Sequence, residues 1–192
     1  MDQWTIALLG DSRVGKTTLA TMFTLNCIPG VYPLEQGPFR KQLVVDNRMC
    51  FVEVLDAEVL EDHSSAMREE LMRNGQGFIL IYSVTSRSSF DKIAAFHQTL
   101  VRARKMLPPF ILIGNRADAH SACEVSKEEG AALARELGCE FLETSAKTAQ
   151  NVERTFITLI RALRRRKAEE AELAVAPQPS KRTVVPHKCV VM

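Results

Sequence analysis

Gly10, Asp11, Ser12, Arg13, Val14, Gly15, Lys16 and Thr17 satisfy the pattern G-x-x-x-x-G-K-[ST], whose glycines, lysine and hydroxyl are spaced to enclose phosphate. The glycines let backbone N–H groups close around an anion, and a helix beginning near Lys16 turns its positive end toward the same point. Lys16 then reaches the outer phosphates, the Thr17 hydroxyl is a ligand for Mg2+, and Thr18 completes the phosphate-binding set. The alternative is a glycine-containing turn beside an exposed lysine. The complete pattern, set between an apolar strand-like run and a helix-compatible stretch, argues against that alternative.

Two further motifs stand later in the chain. Gly114-Asn115-Arg116-Ala117-Asp118 follows the apolar run 110–113, and Glu143-Thr144-Ser145-Ala146-Lys147 follows the short run 140–142. Taken singly, Asn115 could be a turn residue and Ser145 a local cap. In this order, behind a phosphate loop and at successive strand ends, the motifs resemble the guanine-reading elements of the Ras superfamily of small GTP-binding proteins. The resemblance covers residues 5–164 and is nearest the Ras branch through Arg40-Lys41-Gln42, Ser65-Ala66-Met67-Arg68 and Tyr82-Ser83-Val84. Asp11 and Ser12 make the phosphate loop itself more like those of the Rab and Rho branches.

The resemblance implies GTP and GDP as ligands, with Mg2+. Asp118 becomes the base selector, because a carboxylate accepts hydrogen bonds from both N1–H and the exocyclic amine of guanine, a pairing adenine lacks. Asn115 ties the base loop to the phosphate loop, and the Ala146 N–H donates to the guanine O6. Arg116, where the family usually has lysine, lays its aliphatic stem over the base, and Ser145 and Lys147 complete the guanine-binding set. Asp56 supports the Mg2+ through water, beside Thr17. Asp118 and Ala146 argue against an adenine-nucleotide kinase or ATPase.

These motifs need elements to hold them in place. Apolar or β-rich runs at 4–9, 40–45, 50–55, 78–84, 110–113 and 140–142 read as strands, with the turn formers Asp46-Asn47 joining the second and third into a hairpin. Helices fall between them. Ser88 three residues before Asp91, and Ser126 three before Glu129, are helix-start signals, and Gly138 stops the helix that ends at Leu137. Val152, Phe156, Leu159, Ile160 and Leu163 form one apolar stripe of a last helix. The order implies an α/β fold of P-loop NTPase type: a mostly parallel, doubly wound six-stranded sheet with one antiparallel edge hairpin and five helices. Ligands then sit beyond the carboxyl ends of the strands, where every motif lies.

Composition fits one such domain, with 192 residues of which 46% are hydrophobic and 25% charged. No apolar run reaches the length of a membrane span, no secretory or transit pattern opens the chain, and its five cysteines include no C-x-x-C pair, which together point to the cytosol without disulfides or zinc. Residues 1–166 read as the guanine-nucleotide-binding domain and residues 167–192 as a flexible tail. The net charge of +2 divides unevenly: from residue 161 onward eight Lys or Arg face three Glu, a balance of +5, leaving −3 for residues 1–160. A basic tail on an acidic body suits an anionic membrane better than nucleic acid, although the run Arg164 to Lys167 could equally be the solvated end of a helix.

Cys189-Val190-Val191-Met192 matches a C-a-a-X box whose terminal methionine favours farnesylation of Cys189. One lipid chain holds protein to membrane only marginally, so the basic residues become the second signal. The expectation is a monomer at the cytoplasmic face of a membrane, the plasma membrane first, with a cytosolic pool and with effectors and regulators whose identity is not readable.

Departures from the family fall in the two switch segments. The first, Pro29-Gly30-Val31-Tyr32-Pro33-Leu34-Glu35-Gln36-Gly37-Pro38-Phe39, lacks the threonine that senses the γ-phosphate, and no Ser or Thr occurs between Thr24 and Ser64. The second reads Asp56-Ala57-Glu58-Val59-Leu60-Glu61 in place of Asp-x-x-Gly-Gln, without the glycine or the water-orienting glutamine. No catalytic residue is therefore assigned. Binding contacts to groups shared by GDP and GTP survive, whereas slow hydrolysis and weak coupling of the switches to nucleotide state are expected. A non-switching module that holds guanine nucleotide as a structural ligand is the alternative.

Overall fold

In the computed structural model, residues 1–27, 39–56 and 71–175 are described. The expectations for residues 29–38 and 57–61, for Ser65 to Arg68, and for the tail with Cys189 fall outside them.

The chain runs β1 (Asp2–Gly10), α1 (Lys16–Leu25), β2 (Phe39–Val45), β3 (Arg48–Asp56), β4 (Gly77–Ser83), α2 (Arg87–Asp91), α3 (Ile93–Ala103), β5 (Phe110–Asn115), a 3-10 turn (His120–Ala122), α4 (Lys127–Leu137), β6 (Glu140–Glu143) and α5 (Val152–Val175). The sheet order is β2-β3-β1-β4-β5-β6, with β2 and β3 antiparallel and every other pair parallel. The expected mostly parallel sheet with an antiparallel edge hairpin is thus present. Asp46 and Asn47 both have positive φ, 49° and 58°, the conformation a two-residue hairpin turn requires.

Period-two alternation along the central strands divides the interior into two layers. Trp4, Ile6 and Leu8 of β1, with Ile79 and Ile81 of β4, face α1 and the α5 stripe of Val152, Phe156, Leu159, Ile160 and Leu163. Ala7 and Leu9, with Phe78, Leu80 and Tyr82, face the other way, toward Ile93 and Leu100 of α3 and Ala134 of α4. All seven residues of β4 are buried, as a strand covered on both faces must be. Phe23 of α1 stacks on Phe156 of α5, with ring centroids 3.6 Å apart.

Register carries the motifs to one edge. Leu8 pairs with Asp56, Gly10 with Ile81, Ser83 with Asn115, and Gly114 with Glu143. The carboxyl ends of β1, β3, β5 and β6 therefore come level. Chain order reverses around β1, so the crevice beyond its end is where a doubly wound sheet places a ligand.

One helix-start signal is corrected. The cap of α2 is Ser86, whose hydroxyl accepts from the Ser89 N–H, and Ser88 lies inside the helix. The turn leaving β4 closes at Ser86, whose N–H donates to the Ser83 carbonyl, and the Ser89 N–H in the first helical turn then donates to both the carbonyl and the hydroxyl of Ser86. Ser126 and Glu129 form the full reciprocal capping box at the start of α4, and Gly138 ends that helix at φ 73°. α5 continues through residue 166 to Val175. Among the described residues no helix is long and apolar enough to cross a membrane.

Gly130 lies buried in α4, where a Cβ would overlap the Tyr82 hydroxyl and the Phe141 ring. Gly130→Ala is expected to cost about 1–3 kcal/mol by overpacking, read as a Tm several degrees lower in thermal denaturation.

Candidate nucleotide site

The phosphate loop leaves β1 at Gly10, passes Arg13 at φ 63° and Gly15 at φ 93°, and enters α1 at Lys16. Left-handed residues on either side of Val14 curl the backbone and turn successive N–H groups to one side, the concave arrangement that binds anions. Val14 anchors the curl, being 1% exposed in the core. A Cβ at Gly10 would strike the Ile81 carbonyl of β4, and one at Gly15 would lie 2.6 Å from the Asn115 Nδ2. Both glycines are thus required by close approach, and Gly15 by its φ as well.

Lys16 is 3% exposed, and its Nζ donates to the carbonyls of Gly10 at 3.2 Å and Asp11 at 2.7 Å. The ammonium is thereby held over the loop. The Thr17 hydroxyl donates to Asp56 Oδ2 at 2.5 Å, so the two expected Mg2+ partners do converge, from α1 and from the end of β3. A hydroxyl and a carboxylate are hard oxygen donors suited to Mg2+. They are only two, and among the described residues no group of three His, Cys, Asp or Glu could hold a metal ion, so a Mg2+ held here would need further oxygen donors.

On the other side of Gly15, Asn115 is 2% exposed and uses both halves of its amide. Nδ2 donates to the Val14 carbonyl at 2.9 Å, while Oδ1 accepts from the Thr144 hydroxyl at 3.1 Å and the Ala146 N–H at 3.4 Å. Arg116, at φ 66°, donates through Nη2 to the Arg13 carbonyl at 2.7 Å, a second tie between the same two loops. Asp118 Oδ1 accepts from the Ser145 hydroxyl at 2.6 Å, which aims the carboxylate, and Ser145 Oγ in turn accepts from the Thr148 N–H. A cavity of about 210 Å3 opens between Gly15, Thr18, Asn115, Asp118, Ala146 and Lys147. Clefts of about 520 and 600 Å3, lined in part by Pro108, Pro109 and Arg166, contain none of these residues.

The structure therefore brings the sequence-predicted phosphate and base residues together, with Lys147 exposed at the rim. Sequence reasoning missed the role of Thr144, whose hydroxyl helps fix Asn115, although it stands inside the motif. It also missed Lys92, whose Nζ lies 2.6 Å from Asp11 Oδ2. No local pattern announces a contact across that separation. Of the basic run, Arg164 is 13% exposed at its side chain and binds Asp2 and the carbonyls of Val45 and Arg48, and Arg166 pairs with Glu170. These two arginines are used at least partly within the fold.

The Ras family model matches residues 5–165. The chain is similar to Ras-like protein 1 of Pyricularia oryzae, 40% identical over 184 residues covering 85% of this chain and 76% of that protein. It is similar to protein ras-2 of Neurospora crassa at 38% identity, covering 91% and 85%. A Ras-like protein of Laccaria bicolor is 41% identical, covering 85% and 78%.

Asn115→Ala removes three hydrogen bonds from a buried amide and leaves the Val14 carbonyl and Thr144 hydroxyl without those partners. A loss of about 2–4 kcal/mol is expected, measured by chemical denaturation of the purified protein.

Proposed function

The chain belongs to the Ras family of small GTPases, and from that premise we propose that it binds GTP and GDP with Mg2+, hydrolyses GTP slowly, and acts in signalling at a membrane. One observation carries the guanine reading: the Asp118 carboxylate, aimed by Ser145, faces a cavity that shares Gly15 and Thr18 with the phosphate loop. A base accepted by Asp118 would thus have its phosphates at the N-terminus of α1. Gly10, Asp11, Ser12, Arg13, Val14, Gly15, Lys16, Thr17 and Thr18 would hold the phosphates, and Asn115, Arg116, Asp118, Ser145, Ala146 and Lys147 the base. Thr17 and Asp56 would hold Mg2+, which when bound neutralises charge on the β- and γ-phosphate oxygens.

Slow hydrolysis follows from sequence. No Ser or Thr lies between Thr24 and Ser64, and no glycine or glutamine follows Asp56 at the positions where the family uses them. Catalysis by positioning and electrostatic preorganisation loses its water-orienting group. A non-switching nucleotide-holding module is the second reading, favoured by the same two gaps.

Membrane attachment would rest on Cys189 in its C-a-a-X box, with Arg165, Lys167 and the cations beyond residue 175 as the second signal. The cytoplasmic face of the plasma membrane is the proposed location.

Protein purified without added nucleotide is expected to release guanine nucleotide on ion-exchange chromatography; adenine nucleotide, or none, would overturn the guanine reading. Asp118→Ala removes two charge-assisted hydrogen bonds to the base and is expected to weaken guanine-nucleotide affinity by about 100-fold or more. In single-turnover GTP cleavage with Mg2+, a rate well below that of a Ras-like relative assayed alongside is expected. An equal rate refutes slow hydrolysis, and undetectable cleavage by nucleotide-loaded protein establishes the second reading. Cys189→Ser is expected to move the protein from the membrane to the soluble fraction on cell fractionation.

A further inference from the structure

Asp11 is the only acid in the stretch Gly10 to Thr18, and it stands where the loop must receive a polyanion. Its two ends are treated differently. The main-chain carbonyl accepts from Lys16 Nζ at 2.7 Å, while the side-chain carboxylate turns away to Lys92, with Oδ2 2.6 Å from Nζ. The Lys92 ammonium beside it holds the Asp11 carboxyl below its ordinary range, helped by the Ser12 N–H and by the charge of Lys16 and opposed by partial burial.

Lys92 is delivered to this place by a braced turn. It sits between α2 and α3, and α2 is tied at both ends of its first turn. Ser86 caps the helix, Ser89 Oγ accepts from the Ser83 N–H at 3.0 Å, and Arg87 forks onto both carboxylate oxygens of Glu129 at 2.7 and 3.0 Å. Ile93, the next residue, is fully buried against the sheet. The lysine therefore projects from a fixed point toward the loop.

We propose that Lys92 is a positioning residue for nucleotide binding, which neutralises the Asp11 carboxylate and turns it away from the phosphates. This role presupposes the phosphate-binding function proposed above. As a bond holding the fold the pair contributes little, because the side chains are 54% and 25% exposed. Its consequence is for a third party. An anion entering the loop meets a neutral pair in place of a bare carboxylate, and the benefit reaches over a Debye length of about 10 Å at 0.1 M salt. Removing the lysine leaves a like charge beside the phosphates. Removing both charges leaves nothing to repel.

A simple tether between the loop and α2 would behave differently. If the bond served only to hold the loop's shape, Asp11→Asn and Lys92→Gln would be equally damaging, and combining them would repair nothing.

The test uses the full chain loaded with fluorescently labelled GDP or GTP in Mg2+, chased with excess unlabelled nucleotide. At low salt Lys92→Gln is expected to release nucleotide about 3–10-fold faster than wild type, with GTP affected more than GDP because it carries one more negative charge. At about 1 M salt, where the Debye length is about 3 Å, the difference is expected to fall within about twofold. Asp11→Asn, which leaves the Lys92 ammonium without its counter-charge, is expected to release nucleotide about 2–5-fold more slowly than wild type at low salt, and Asp11→Asn/Lys92→Gln is expected to release it at least about 2-fold more slowly than Lys92→Gln alone. Lys92→Gln indistinguishable from wild type at low salt, fast release by Asp11→Asn, or an unrescued double variant each overturns the role of Lys92. Wild-type protein that takes up no guanine nucleotide overturns the functional reading itself, and with it this one.

Discussion

Asn115 is the point on which the site depends. It lies at the end of β5, and its amide joins the phosphate loop after β1 to the loop after β6 through the Val14 carbonyl, the Thr144 hydroxyl and the Ala146 N–H. Only a group with a donor and an acceptor on one short, rigid plane can do this from one position. Aspartate would repel the Val14 carbonyl, and the amide lies so close to Gly15 that a Cβ there would stand 2.6 Å from Nδ2. The price of such a buried amide is that every lone pair and proton must be matched, which is why Thr144 is buried beside it with its hydroxyl turned inward.

That amide can work only because the sheet brings the loops level. β1, β4, β5 and β6 are parallel neighbours in fixed register, and register is fixed by alternation of apolar residues to two separate cores. A one-residue slip of β5 against β4 would send Ile111 and Ile113 into the layer now filled by Leu112, and would carry Asn115 off Val14. Packing of the core and geometry of the site are the same constraint, applied at different ends of the strands.

Much of this was legible because the signals are local or periodic. The apolar runs, the Asp46-Asn47 turn and the α5 stripe are read from spacing alone, and the motifs at the strand ends follow from their neighbours. Ser88 was misread for a physical reason: Ser86, Ser88 and Ser89 crowd the same turn, and which hydroxyl caps depends on where the chain closes after β4. Ser145 was legible as a site residue but not as the group that aims Asp118. The pair of Asp11 and Lys92 was not legible at all, since it depends on a braced turn between two helices bringing one lysine across the sheet's end.

Among the described residues, the braces on the phosphate loop come from strand ends, the core and the α2–α3 junction. Gly10 is fitted to the β4 backbone, Val14 is sunk in the core, Asn115 and Arg116 hold two consecutive carbonyls, and Lys92 takes the Asp11 carboxylate. These braces call on no threonine in the first switch and on no glycine or glutamine in the second. What those missing residues supply in the family acts on the γ-phosphate and on the attacking water, whose positions these braces do not define. A sequence can lose the second set of groups while these braces, each made by side chains or backbone far from them in the chain, keep their geometry.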